Sequence, residues 1–264
     1  MAAGPALRAV ASLAVAVLGS AAAMPASAQG TAGGWQIELS PYLWTTGLNG
    51  SVKTPTLPST DVDVSFSDLF EVLDLGVSAG FEARNGKWGL LVDAQYYKLS
   101  PGGSAAGTGP LGNPVTVSVD AEVKQQIVAG AVAYRVSDGN VPVDVIGGLR
   151  YTKLDVEANA DWAALGLTGS SSLGGDKSWT DPYVGVQVKV PLSDRWTATG
   201  YLDVGGFGAG SDSTWQAQAG FEYRFSQKYA MKFGYRVLDV DYDKDGYVYD
   251  VKTDGVYLGM GIRF

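Results

Sequence analysis

The sequence predicts an all-β fold: a transmembrane antiparallel up-and-down β-barrel of about ten strands, with a short helix in its first long loop. Three observations lead there. Apolar and polar residues alternate with period two for about nine to eleven residues at a time, the length a tilted strand needs to cross a bilayer. The connections between these segments alternate between short and long. Beyond the amino terminus, no stretch approaches the roughly 18 consecutive apolar residues of a spanning helix.

Residues 1–28 read as a cleaved signal peptide. Arg8 precedes an Ala, Val and Leu run from Ala9 to Leu18, and Ala26-Ser27-Ala28 supplies a small-x-small cleavage site. Residues 29–264 then form one barrel domain, carrying 18 Lys and Arg against 27 Asp and Glu, a net of minus 9. Without cysteine, the chain has neither disulfides nor a lipid-anchoring thiol.

Ten strands follow in order, at 35–46, 75–84, 88–99, 117–136, 141–157, 179–192, 196–206, 213–225, 229–243 and 247–264. The last is the clearest. Val256, Leu258, Met260, Ile262 and Phe264 share one face, while Tyr257, Gly259, Gly261 and Arg263 share the other. The same alternation runs through Trp215 to Phe225 and through Val184 to Leu192. Tight turns fall at Asn85-Gly86-Lys87 and at 137–140, 193–195 and 226–228; the longer connections are 47–74, 100–116 and 158–178, with shorter ones at 207–212 and 244–246. An even strand count then puts both ends of the barrel on the short-turn rim. Trp35, Trp88 and Trp196 open strands at that rim, and Tyr134, Phe225 and Phe264 close strands there, as an interfacial aromatic girdle would.

With its signal peptide, absent cysteine and a last strand ending in Phe264, the chain resembles the outer-membrane β-barrel proteins of Gram-negative bacteria. The resemblance covers the whole chain after residue 28. It implies an outer-membrane location, lipid as the surrounding partner, and short turns on the periplasmic side. It also implies that Val256, Leu258, Met260, Ile262 and Phe264 are the signal read by the barrel-insertion machinery. It does not fix an activity, because such barrels include channels, adhesins, enzymes and structural proteins.

If the last strand fixes which face meets lipid, the membrane-level lumen receives six acids: Glu38, Glu82, Asp93, Asp144, Asp203 and Glu222. It also receives eight bases: Arg84, Arg135, Arg150, Lys189, Arg224, Lys232, Arg236 and Arg263. In a narrow barrel such charges are expected to pair across strands, since unpaired burial is costly. They read either as a structural ladder that plugs the barrel or as the lining of a narrow pore for ions and small solutes.

Farther from the short-turn rim the polarity of the two faces inverts. Asp120, Glu122, Lys124, Gln126, Lys153, Asp155, Glu157, Asp239, Asp241, Asp250, Lys252 and Asp254 point out. Val119, Val123, Ile127, Leu154, Val156, Leu238, Val240, Tyr242, Tyr247, Tyr249 and Val251 point in. The barrel is therefore expected to project beyond the bilayer around an apolar upper chamber, joined by Trp44, Leu48, Leu99 and Trp179. Phe66, Leu69, Phe70 and Leu73 fall at helical spacing behind the possible caps Ser65 and Ser67, so a short helix is expected to cover this chamber. The chamber reads either as a packed core or as a mouth that binds or passes hydrophobic small molecules.

Several chemistries are excluded. A chain with no histidine and no cysteine cannot build an imidazole triad or a thiolate or imidazole metal site. The resemblance brings enzymatic barrels to mind, but their catalytic constellations rely on histidine, so no enzyme activity and no cofactor are expected. The net charge of minus 8 over the whole chain argues against nucleic acid as a partner. Asp241, Asp243, Asp245 and Gly246 match the opening of a calcium loop, but Lys252 stands where its bidentate Glu belongs, leaving only a weak metal candidate. The loops at 47–74 and 158–178 leave surface recognition as a further possible role.

Overall fold

The computed structural model describes residues 34–55, 59–108, 113–137, 139–164 and 167–264. The segment read as a signal peptide lies outside them. Twelve strands and one helix follow in order: β1 Gln36–Lys53, β2 Thr60–Val64, α1 Phe66–Val72, β3 Leu73–Asn85, β4 Trp88–Leu99, β5 Gly102–Thr108, β6 Pro114–Ser137, β7 Val143–Ala164, β8 Leu167–Pro191, β9 Trp196–Gly205, β10 Ser213–Arg224, β11 Tyr229–Lys244 and β12 Tyr247–Arg263. All pair antiparallel. Ten of them close a ring when β12 pairs with β1 from Glu38↔Arg263 to Lys53↔Val248. The other two, β2 and β5, fold back only on β1 and β6.

The predicted ring of ten is present, but three long connections are built differently from the sequence reading. Residues 158–164 and 167–178 are strand, not loop. The β7–β8 ladder runs without a break from Val143↔Val188 to Ala164↔Leu167. On the face shared by Trp162, Leu167 and Leu173 the alternation is interrupted by Ala158, Ala160, Gly169 and Ser171, which are too small to give a hydrophobic period, and the Gly and Ser content suggests flexibility. The 100–116 connection contains β5, and 47–74 contains the end of β1 together with β2 and α1. Leu73, expected in the helix, is its C-cap in extended conformation and opens β3.

Side-chain parity gives the wall two chemistries. Leu90, Val132, Leu149, Val184, Leu202, Val256, Leu258 and Met260 are exposed on the outside, an apolar band that a water-facing surface would not leave bare. Phe264 is also exposed, whereas Ile262 of the same parity is 6% exposed, between its cross-strand partners Leu39 and Tyr229. Aromatic pairs ring the short-turn end: Trp88 with Tyr134 at 4.8 Å, and Trp196 with Tyr223 at 4.8 Å. Where rings turn inward, the wall needs glycine. Gly220 and Gly234 face each other across β10 and β11, and a Cβ on Gly234 would sit 2.8 Å from the Tyr257 hydroxyl.

The far end is uneven. The β6, β7 and β8 strands are tall, whereas β9 and β10 stop low. β8 has no β9 partner beyond Tyr183↔Gly205, and β11 has no β10 partner beyond Ser213↔Asp241. A notch is left in the wall above β9–β10, flanked by two taller strands.

Candidate functional site

The lumen is the candidate site, and its tiers follow from strand parity. Nearest the short-turn rim, Arg84 on β3 and Arg135 on β6 both grip Asp144 on β7, with Arg84 Nη2 at 2.7 Å and Arg135 Nε at 2.8 Å. Arg84 also reaches Glu82 at 3.0 Å, and Lys189 on β8 donates to Glu82 Oε2 at 2.8 Å. Across the barrel Glu38 takes Lys232 and Arg263, the latter at 2.7 Å, and Arg263 also binds Glu222. Each carboxylate thus holds at least one cation from another strand, which offsets the cost of removing it from water.

At mid-height Arg150 Nη2 meets Asp203 Oδ2 at 2.6 Å, donates to Thr214 at 3.2 Å, and lies over the Tyr183 ring. Arg236 is placed similarly. It donates to Tyr42 at 2.8 Å and to Gln216 at 2.7 Å, pairs with Asp93 at 3.2 Å, and packs on the Trp44 ring. Thirteen of the fourteen predicted lumen charges therefore belong to ion pairs. Arg224 does not: it is exposed at the rim, and no carboxylate partner is found for it among the described residues.

Above this tier the aromatic half is packed. Trp44, Leu154, Trp179, Leu238, Val240, Tyr242, Tyr249 and Val251 are buried together with Ile127 and Tyr257, and Leu48, Val123, Val156 and Tyr247 pack against them. Trp179 stacks on Tyr242 at 4.4 Å and tilts on Tyr249 at 5.7 Å, filling the notch above β9–β10. Leu99 lies instead beneath α1, where it lines a residual cavity of about 50 Å³ with Phe66, Leu69, Phe70 and Leu73. Ser65 caps α1, and Leu69 is its buried residue; Phe66 and Phe70 are partly exposed at the edge of the cavity. The upper chamber is thus a filled core.

Sequence reasoning missed Asp181. It is fully buried and accepts from Trp179 Nε1 at 3.1 Å, Ser211 N at 2.6 Å and Ser211 Oγ at 2.8 Å, tying the short β9–β10 connection to β8. Its even spacing from Trp179 and Tyr183 was the available signal. Lys244 holds the same connection through the carbonyls of Gly208 and Gly210, both at 2.7 Å.

Three cavities are stacked in the lumen. A vestibule of about 630 Å³ opens at the short-turn rim between Gln36, Pro142, Gln227 and Phe264. A small space of about 80 Å³ shares Glu82 and Lys189 with it. A central cavity of about 190 Å³ follows, sharing Lys232, Gln187 and Tyr201 with the second and bounded by Tyr42, Arg150, Tyr183 and Arg236.

The weak metal candidate does not converge. Asp241 and Asp243 lie on β11, while Asp245 occupies a two-residue turn with Gly246, both at positive φ, and pairs with Lys177 at 2.7 Å. Among the described residues no group of three metal-binding side chains comes together. Asp241 faces Asp250 directly across the ladder. Burial, then Asp250, Asp212 and Asp243, raise its carboxyl above the usual range. A raised folded value means that the associated stability is present below the ordinary carboxylate range and is lost as pH rises through the raised value. Asp241→Asn is therefore expected to raise the thermal midpoint at pH 7 and to leave it unchanged at about pH 3; heat-modified gel mobility at both pH values measures this.

A closed antiparallel ring with an apolar exterior and an ion-paired interior defines a membrane-spanning β-barrel. Residues 13–264 match the family described as outer membrane protein beta-barrel domain, and the chain belongs to that family. It is a bacterial outer-membrane protein. The fold is similar to the outer membrane protease OmpT from Escherichia coli, at 10% identity and a TM-score of 0.55, covering 87% of this chain and 96% of that one. The attachment invasion locus protein Ail of Yersinia pestis aligns at 13% identity and TM-score 0.33 over 89% of this chain and 100% of that one. Neisserial surface protein A aligns at 14%, TM-score 0.32, over 89% and 100%. Among curated proteins no sequence match is found. In this family short turns are periplasmic, so the vestibule opens to the periplasm and the tall strands rise outside the cell.

Proposed function

We propose that this protein is a closed, non-enzymatic structural barrel of the outer membrane. One observation carries the reading: Arg150–Asp203 and Arg236–Asp93 brace the lumen at mid-height, and the buried core around Trp179 packs above them. Ten strands give a bore little wider than the eight that side chains alone can fill. The six acids expected in the lumen, Glu38, Glu82, Asp93, Asp144, Asp203 and Glu222, are each engaged by a cation, and no histidine is present to serve as a base. Proteoliposomes carrying the protein are expected to swell in arabinose no faster than empty ones. Swelling graded by sugar size would establish a solute channel instead.

A second reading, surface recognition, is favoured by the sheet β5–β8 above the notch. Register puts Val117, Val119, Trp162, Leu167 and Leu173 on one face of it, and all five are exposed. The opposite face carries Ser118, Asp120, Asp161 and Ser170. The braced lumen would hold this amphipathic sheet clear of the lipid surface.

A further inference from the structure

The vestibule carries a surplus of cationic side chains. The side chains of Arg84, Arg135, Lys189, Arg224 and Arg263 line it, against the acidic side chains of Glu38 and Glu82. Counting the groups just behind the lining adds Lys232, Asp144 and Glu222, which leaves six cations facing four acids in this tier. The pairs above it, Arg150–Asp203 and Arg236–Asp93, are matched one to one. The extracellular ladder is acidic, and residues 29–264 carry minus 9 overall. The positive surplus is therefore local to the periplasmic mouth.

Arg224 gives the surplus an address. Parity puts it on the luminal face of β10, two residues beyond Glu222, yet Glu222 is taken by Arg263. Its guanidinium is exposed to the vestibule without a carboxylate partner among the described residues. Arg263, on the same wall, spans Glu38 and Glu222 and is itself partly exposed. A concave site with low-dielectric walls concentrates such a field, and guanidinium groups donate to carboxylate or phosphate oxygens in bidentate geometry. At about 630 Å³ the space falls within the range of small-molecule sites, roughly 300–1,000 Å³.

We propose that the vestibule is a binding site for a small multivalent oxyanion, a carboxylate- or phosphate-bearing solute taken from the periplasm, with Arg224 as its principal anchor and Arg263 beside it. Under the closed-barrel reading it is a receptor site, but anion binding at the mouth does not require the barrel to be closed. It can hold even if the channel reading replaces the structural one.

The test is titration calorimetry on the full barrel in a zwitterionic detergent. Citrate and inorganic pyrophosphate are the probes, glucose is the neutral control, and Arg224→Gln is the variant. At least one of the two anions is expected to bind the wild type, with affinity weakened about tenfold by Arg224→Gln and falling as salt is raised. Binding of citrate alone assigns a carboxylate ligand, and binding of pyrophosphate alone assigns a phosphate. Absence of heat with both anions overturns the proposal. So does anion binding that Arg224→Gln leaves unchanged, because the site then lies elsewhere.

Discussion

Arg150→Ala is expected to destabilise the folded barrel by about 3–5 kcal/mol, because it removes the one cation that pairs with the Asp203 carboxylate among the described residues. The side chains of both partners are almost wholly buried, at 2% and 0% exposure, and their 2.6 Å contact joins β7 to β9 across the intervening strand β8. Thr214 loses a donor in the same change, and Tyr183 loses the guanidinium over its ring. Asp203→Ala is expected to cost a similar amount for the converse reason. The double variant Arg150→Met with Asp203→Leu removes both charges while keeping volume, and is expected to recover most of the loss. Urea titration in phospholipid vesicles, read by tryptophan fluorescence, measures all three. A loss under about 1 kcal/mol in the single variants would mean that water already solvates the pair.

Trp179→Ala is expected to be comparably severe, about 3–5 kcal/mol, since removing a core aromatic loses its transfer energy and leaves a cavity. This ring bridges the notch above β9–β10, where backbone pairing stops on both flanks, so its stack on Tyr242 and Tyr249 replaces the missing ladder. Trp179→Phe separates two contributions. It keeps a ring in the stack but deprives buried Asp181 of the indole N–H, and is expected to cost about 1–3 kcal/mol. Equal effects from the two substitutions would show that the hydrogen bond, and not the stacking, holds this wall. The same urea titration gives both values.

What could be read from the residues beforehand follows physical rules. Period-two alternation exposed the ring, because a wall between lipid and lumen forces every second side chain to change environment. Inversion of polarity along β6, β7, β11 and β12 located the aromatic core for the same reason. Where many of the alternating side chains were small the signal vanished, so 158–178 looked like a loop although it is paired as far as Ala164↔Leu167. Asp181 was missed because its partner Ser211 lies thirty residues away in a connection without any pattern. The tyrosines were missed for a different reason. Tyr42 and Tyr183 share the mid-height tier with Arg236 and Arg150, but parity sorted the lumen by charge and an uncharged ring gave no cue. Conversely, Arg224 has luminal parity and yet stays at the rim, because height along the strand, as well as face, decides whether a cation finds a carboxylate.

In the proposed closed barrel, ion pairs below and an aromatic core above close the lumen. Single-channel recording in planar bilayers tests it most directly, comparing the wild type with Trp179→Ala under the same salt and voltage. The wild type is expected to give no resolvable conductance steps, and the variant is expected to give steps wherever it remains folded. Steady, open conductance from the wild-type protein would contradict the closed barrel and make the charged lumen a pore lining.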